Sequence, residues 1–133
     1  EGEARLLSGE RNLVLAAKKI LSWGPKTLVI KRGGYGALMF YGQKVFSVPA
    51  YPLESVSDPT GAGDSFAGGF MGYLAKQGEL TEATLRQAAV YGSVVASFCV
   101  EDFGLRRMWK LTAGDIKERY TSFYDLTTYE HAS

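Results

Sequence analysis

From Arg11 to Ser22 apolar side chains return every three or four positions, at Leu13, Ala16, Ala17, Ile20 and Leu21. That spacing lays one apolar stripe along a helix, which Gly24-Pro25 then stops. The rhythm changes after it. Thr27 to Lys31 is a short aliphatic run that predicts a buried strand, and Ala37–Tyr41 and Lys44–Val48 predict two more around Gly42-Gln43, a plausible tight hairpin turn. Helical patterning resumes beyond Gly61. One helix is expected from about Ala62 to Lys76, closed by Gly78, and another starts at Thr81, with Glu82 in its first turn, and runs to about Val100. A last helix begins at Thr112, with Asp115 at the spacing of a capping box.

In the helix that starts at Thr81, Ala88, Ala89, Gly92, Ser93, Ala96 and Ser97 place small side chains three and four apart. Something is therefore able to approach that backbone closely. A neighbouring helix is the ordinary occupant, and a ligand is the other.

Three segments carry candidate chemistry. Asp58-Pro-Thr-Gly-Ala-Gly-Asp64-Ser-Phe-Ala-Gly-Gly-Phe70 sets a glycine turn and a carboxylate at a helix start. Gly61 and Gly63 allow successive backbone N–H groups to converge on one anion, at the positive end of the helix dipole. On spacing alone the segment is equally a glycine turn that caps a helix, with Asp64 merely favourable to the dipole. Lys31-Arg32-Gly33-Gly34-Tyr35-Gly36, between two strands, reads by itself as a hairpin-like glycine turn flanked by solvated basic residues. Glu3 reads by itself as a solvated first-turn glutamate.

Together these residues resemble the ribokinase/PfkB-type carbohydrate kinases. Asp58-x-Thr60-Gly61-Ala62-Gly63-Asp64-x-Phe66 is similar to that family's D-T-x-G-A-G-D-x-F signature, with Pro59 at a position where threonine is usual. Lys31 to Gly36 resembles its T-x-G-x-x-G nucleotide loop, with Lys31 in place of the threonine, and Glu3 resembles the glutamate of its N-x-x-E motif. The resemblance implies a three-layer α/β/α sandwich with a mainly parallel sheet, of which residues 1–133 are the C-terminal part in a single domain, the N-terminal half being absent. It implies ATP-dependent phosphoryl transfer to a hydroxyl of a sugar or nucleoside. Asp64 is then the catalytic base, and the amides of Gly61, Ala62 and Gly63 form the anion hole. Lys31, Gly33, Gly36, Gly92 and Ser93 adjoin the nucleotide, Asp58 and Thr60 adjoin a monovalent cation such as K+, and Glu3 reaches Mg2+ through water. The alternative is a non-catalytic piece of such a kinase that binds nucleotide or phosphate, or associates with itself or with an N-terminal half through open strand edges.

Composition narrows the class. Fifteen basic and fourteen acidic side chains leave a formal charge of +1 with no block of like charges, which points to no nucleic-acid or membrane surface. Cys99 is the only cysteine and lies in an apolar run, so a disulfide framework within one chain is excluded and a reduced, cytoplasmic thiol is expected. The G-x-x-x-x-G-K-[ST] pattern of a P-loop is missing. The single histidine, His131, sits in the terminal residues, where a catalytic role is not expected.

Overall fold

The computed structural model describes residues 1–53, 61–101 and 111–132. They fall into two compact units, Glu1–Ser47 and Val48–Ser133.

The first unit opens with helix α1 (Gly2–Ser8), which ends where Gly9 turns left-handed at φ 73° and its amide bonds the Arg5 carbonyl. Helix α2 (Leu13–Leu21) starts at Asn12, whose Oδ1 accepts from the amides of Val14 and Leu15 at 2.9 and 3.1 Å. That bond satisfies two of the donors every helix leaves over at its start. The apolar stripe read from the sequence is the face that α2 buries. Ala17 and Ile20 pack with Ala4 of α1, with Ile30 of strand β1 (Thr27–Lys31) and with Phe40 of strand β2 (Ala37–Tyr41), and Leu13, Leu21, Leu28 and Leu38 lie around that cluster.

Strand β3 (Lys44–Val48) completes a sheet ordered β1-β2-β3. β1 and β2 run antiparallel, with Thr27 opposite Tyr41 and Lys31 opposite Ala37. The mainly parallel sheet expected from the resemblance is therefore corrected: among the described residues the sheet is a small antiparallel one in a mostly helical chain. Connection length is the physical reason. A parallel neighbour needs a crossover of roughly a dozen residues or more, whereas five residues join β1 to β2 and only Gly42-Gln43 joins β2 to β3. The expectation of a buried β1 is corrected too, since Ile30 alone of its five residues is buried. β1 lies at the edge of the sheet, and the better-covered strand is the central one, β2.

The second unit contains helices α3 (Ala62–Gln77), α4 (Glu82–Val100) and α5 (Ala113–Thr127). Their ends follow the sequence signals closely. Gly78 closes α3 at φ 72°, Thr81 and Thr84 form a reciprocal cap on α4, and Thr112 and Asp115 form one on α5. α3 and α4 lie against one another where both lack side chains: a Cβ on Gly69 would sit 3.1 Å from the Gly92 Cα, and one on Gly92 would sit 2.8 Å from the Phe66 carbonyl oxygen. Phe123 of α5 is fully buried, with its ring centroid 5.1 Å from that of Tyr51. Tyr91 bridges the three helices, with centroids 5.3 Å from Tyr73 and 6.3 Å from Tyr120.

Burial holds the Tyr120 phenol above its usual titration range, and the neighbouring Tyr73 adds to the shift. The folded value is raised, so the stability that neutral Tyr120 contributes is complete below the unfolded value near pH 10 and is lost as pH rises through the folded value. The urea midpoint should accordingly fall between pH 9 and pH 11, and Tyr120→Phe should make that fall shallower. Equal falls in the two proteins would remove Tyr120 as a cause. Among the described residues no helix is long and apolar enough to cross a membrane.

Candidate functional site

Helix α3 begins differently from the other long helices. Its N-cap is Gly61, left-handed at φ 85°, and among the described residues no side chain caps it, whereas Asn12, Thr81 and Thr112 cap α2, α4 and α5. The first backbone bond of the helix runs from the Ser65 amide to the Gly61 carbonyl at 2.9 Å. The amides of Ala62, Gly63 and Asp64 lie ahead of that bond, so they have no partner within the helix. The positive end of the dipole of a sixteen-residue helix lies at the same place. Asp64 is the third residue of α3 and is exposed. The structure thus gathers Gly61, Ala62, Gly63 and Asp64 into one turn. Asp58 and Thr60 lie outside the described residues.

The turn rests on α4. A Cβ placed on Gly61 would stand 3.7 Å from the Sγ of Cys99, which is buried. This backing was not legible in the sequence, where Cys99 read only as a core thiol. Gly92 faces α3 and is filled by Phe66, so helix packing accounts for its lack of a side chain. Ser93, the next residue along α4, is half-buried.

Glu3, Lys31, Gly33 and Gly36 belong to the first unit. Glu3 and Lys31 line one cleft of about 470 Å³ between α1 and β1, together with Leu7, Ile20 and Val29. The Glu1 carboxylate meets Arg32 at 3.3 Å, which ties the start of α1 to the end of β1. Residues Gly33–Tyr35 form a single 3₁₀ turn inside the β1–β2 hairpin, closed by the Arg32 amide on the Gly36 carbonyl at 2.7 Å. Gly33 and Gly36 take φ of 55° and 89°, and Arg32 lies 5.8 Å from the Tyr35 ring centroid. The lysine and the glycines therefore share a hairpin loop, and the Lys31 side chain is exposed at its edge.

Curated relatives and solved structures resemble the chain. It is 42% identical over 73 residues to a cytidine kinase of Thermococcus kodakarensis, an alignment covering 53% of this chain and 26% of the relative. It is 38% identical over 99 residues to a nucleoside kinase of Methanothermobacter thermautotrophicus, covering 74% and 29% respectively. The fold matches an aminoimidazole riboside kinase of Salmonella enterica, solved with aminoimidazole riboside and an ATP analogue, with TM-score 0.71, 26% identity and coverage of 96% and 40%. It also matches an E. coli structure described as a ribokinase II with ATP and Mg2+, with TM-score 0.70, 28% identity and coverage of 95% and 37%. The chain spans between a quarter and three-tenths of the length of these two curated relatives. The family model for pfkB family carbohydrate kinases matches residues 1–111, and the chain belongs to that family.

Proposed function

We propose that this chain is the phosphate-binding, base-carrying part of an ATP-dependent kinase that phosphorylates a hydroxyl of a sugar or nucleoside. The observation that carries the reading is the α3 start at a left-handed glycine, where consecutive amides and a carboxylate share one turn. The amides of Gly61, Ala62 and Gly63, with that of Asp64 beside them, hold the charge that develops on the transferred phosphoryl oxygens. Asp64 accepts the proton of the attacking hydroxyl, so the oxygen gains nucleophilic character as it approaches phosphorus in line. Lys31, Gly33 and Gly36 meet the nucleotide, Lys31 as a point charge on a phosphate. Gly92 and Ser93 are further candidates for nucleotide contact. The first two relatives described above are nucleoside kinases, which favours a nucleoside acceptor.

Among the described residues no group of three or more His, Cys, Asp or Glu side chains could hold a metal ion. A lone carboxylate such as Glu3 fits Mg2+ that is held chiefly by nucleotide phosphates and water, the usual arrangement for this ion. Magnesium bound with the nucleotide would neutralise phosphate charge. Asp58 and Thr60 remain the candidates for a monovalent cation.

A second reading is favoured by β1, whose outer edge has no strand partner among the described residues. In that reading the chain binds nucleotide without turnover and pairs through this edge with a second copy or an N-terminal half. Titration calorimetry with MgATP, run beside a coupled ADP-release assay over a panel of nucleosides and sugars, separates the two. Binding with acceptor-dependent turnover establishes the kinase, binding without turnover establishes the second reading, and absence of binding overturns both.

One variant tests the turn itself. Gly61→Ala forces an alanine to φ 85° and costs roughly 1–2 kcal/mol of backbone strain, which relaxes by rotating the turn away from the anion. MgATP affinity should fall about tenfold, the equivalent of ~1.4 kcal/mol, while the urea midpoint of the chain falls only slightly. Unchanged affinity would remove this turn from the phosphate site.

A further inference from the structure

Arg119 of α5 is held more tightly than any surface arginine needs to be, with its side chain only 14% exposed. Its Nη2 meets both carboxylate oxygens of Glu101, at 3.2 and 3.0 Å, and its Nη1 donates to Ser97 Oγ at 3.1 Å. The guanidinium carbon lies 3.7 Å from the Phe98 ring centroid and 4.8 Å from that of Tyr51. Ser97, Phe98 and Glu101 are all in the last turn and C-cap of α4. Cys99, in the same turn, is the residue that backs Gly61.

The same α4 turn therefore holds Arg119 and stands next to Gly61. Glu101 is poorly placed for α4 alone, because a carboxylate at a helix C-terminus opposes the dipole. A fork-shaped cation that bonds the carboxylate and stacks on a ring both offsets that charge and fixes the orientation of the turn. Apolar residues would stabilise the junction as well, so a half-buried fork is better explained by the orientation it imposes. We infer that Arg119 is a positioning residue for the phosphate-binding turn, setting the placement of the α3 first-turn amides through Ser97, Phe98, Glu101 and Cys99. The inference rests on the kinase reading for its consequence, and on geometry alone for the link between Arg119 and Gly61.

The test uses the chain with Arg119→Lys and Arg119→Met, and takes Cys99 as the reporter. Iodoacetamide labelling of Cys99 is followed from zero to sub-denaturing urea, which separates local opening from global unfolding because only global unfolding responds steeply to urea. Arg119→Met should label at least tenfold faster than wild type by a urea-insensitive route, and its MgATP dissociation constant should rise at least fivefold. Arg119→Lys, which keeps the charge and loses the fork, should recover most of the urea midpoint while keeping most of the loss in affinity. That split is one a merely stabilising residue would not produce. Wild-type labelling in both variants, or accelerated labelling that rises only with global unfolding, would overturn the inference. Affinity that recovers in proportion to stability would overturn it equally. Should wild type bind no MgATP, the kinase reading fails, and the labelling rates still decide whether Arg119 holds the turn.

Discussion

Replacing Asp64 by Asn should leave MgATP affinity within about twofold and cut phosphoryl transfer by two orders of magnitude or more, the range typical of a lost general base. Asn keeps the size of the side chain and its place in the first turn of α3, and exchanges the charged, basic carboxylate for a neutral amide that cannot take the acceptor's proton. The amides of Ala62, Gly63 and Asp64 belong to the backbone and survive the change, so anion binding survives with them. Calorimetry with MgATP and single-turnover measurement of ADP formation, in the chain and in the chain supplied with an N-terminal half, give the two numbers. Comparable turnover in the two proteins would take Asp64 out of the role of base. A loss confined to affinity would instead mean that the carboxylate helps to seat the nucleotide. The expected pattern requires turn and base to act separately, as adjacent residues with different chemistry.

What the sequence disclosed, and what it hid, divides along one physical line. Local signals were legible. Thr81, Thr112 and Gly78 announced helix ends because caps are made by neighbours in sequence, and each stands where the chain's own backbone needs a donor, an acceptor or a positive φ. The α2 stripe was legible for the same reason, since periodicity is a property of a single segment. Strand direction was also present in the sequence, in the two short connections of the sheet, yet the family resemblance pointed to a mainly parallel sheet and outweighed them. The resemblance described a whole kinase, whereas the loop lengths described these three strands.

The rest depends on which segments meet, and no local pattern encodes that. Cys99 behind Gly61 joins residues 38 apart, and Arg119 on Glu101 joins residues 18 apart. Arg119 carried no sequence signal beyond its place on a helix already predicted. Gly92 carried an ambiguous one, because a small residue at helical spacing serves a ligand and a neighbouring helix equally well. The distance to Phe66 shows what occupies that space.

Gly92 consequently gives the sharpest prediction about stability. A Cβ there would lie 2.8 Å from the Phe66 carbonyl oxygen, closer than unstrained atoms approach, and 3.1 Å from the edge of the Phe66 ring. A side chain can turn away, but the carbonyl belongs to the backbone of α3 and moves only if the helix does. Gly92→Ala should therefore cost about 1–2 kcal/mol despite alanine's better helix propensity, and Gly92→Val about 3 kcal/mol or more as its two methyl groups wedge α3 from α4. Urea titration followed by circular dichroism reads both values, with Ala83→Val on the exposed first turn of α4 as the control for β-branching. The displacement reaches further than the contact. Phe66 lies two residues beyond Asp64, so moving its backbone moves the phosphate-binding turn, and MgATP affinity in Gly92→Ala should weaken along with stability. A Gly92→Ala chain as stable as wild type would show that the two helices are not held at this separation. Lost stability with full affinity would show that the start of α3 is anchored by Cys99 alone.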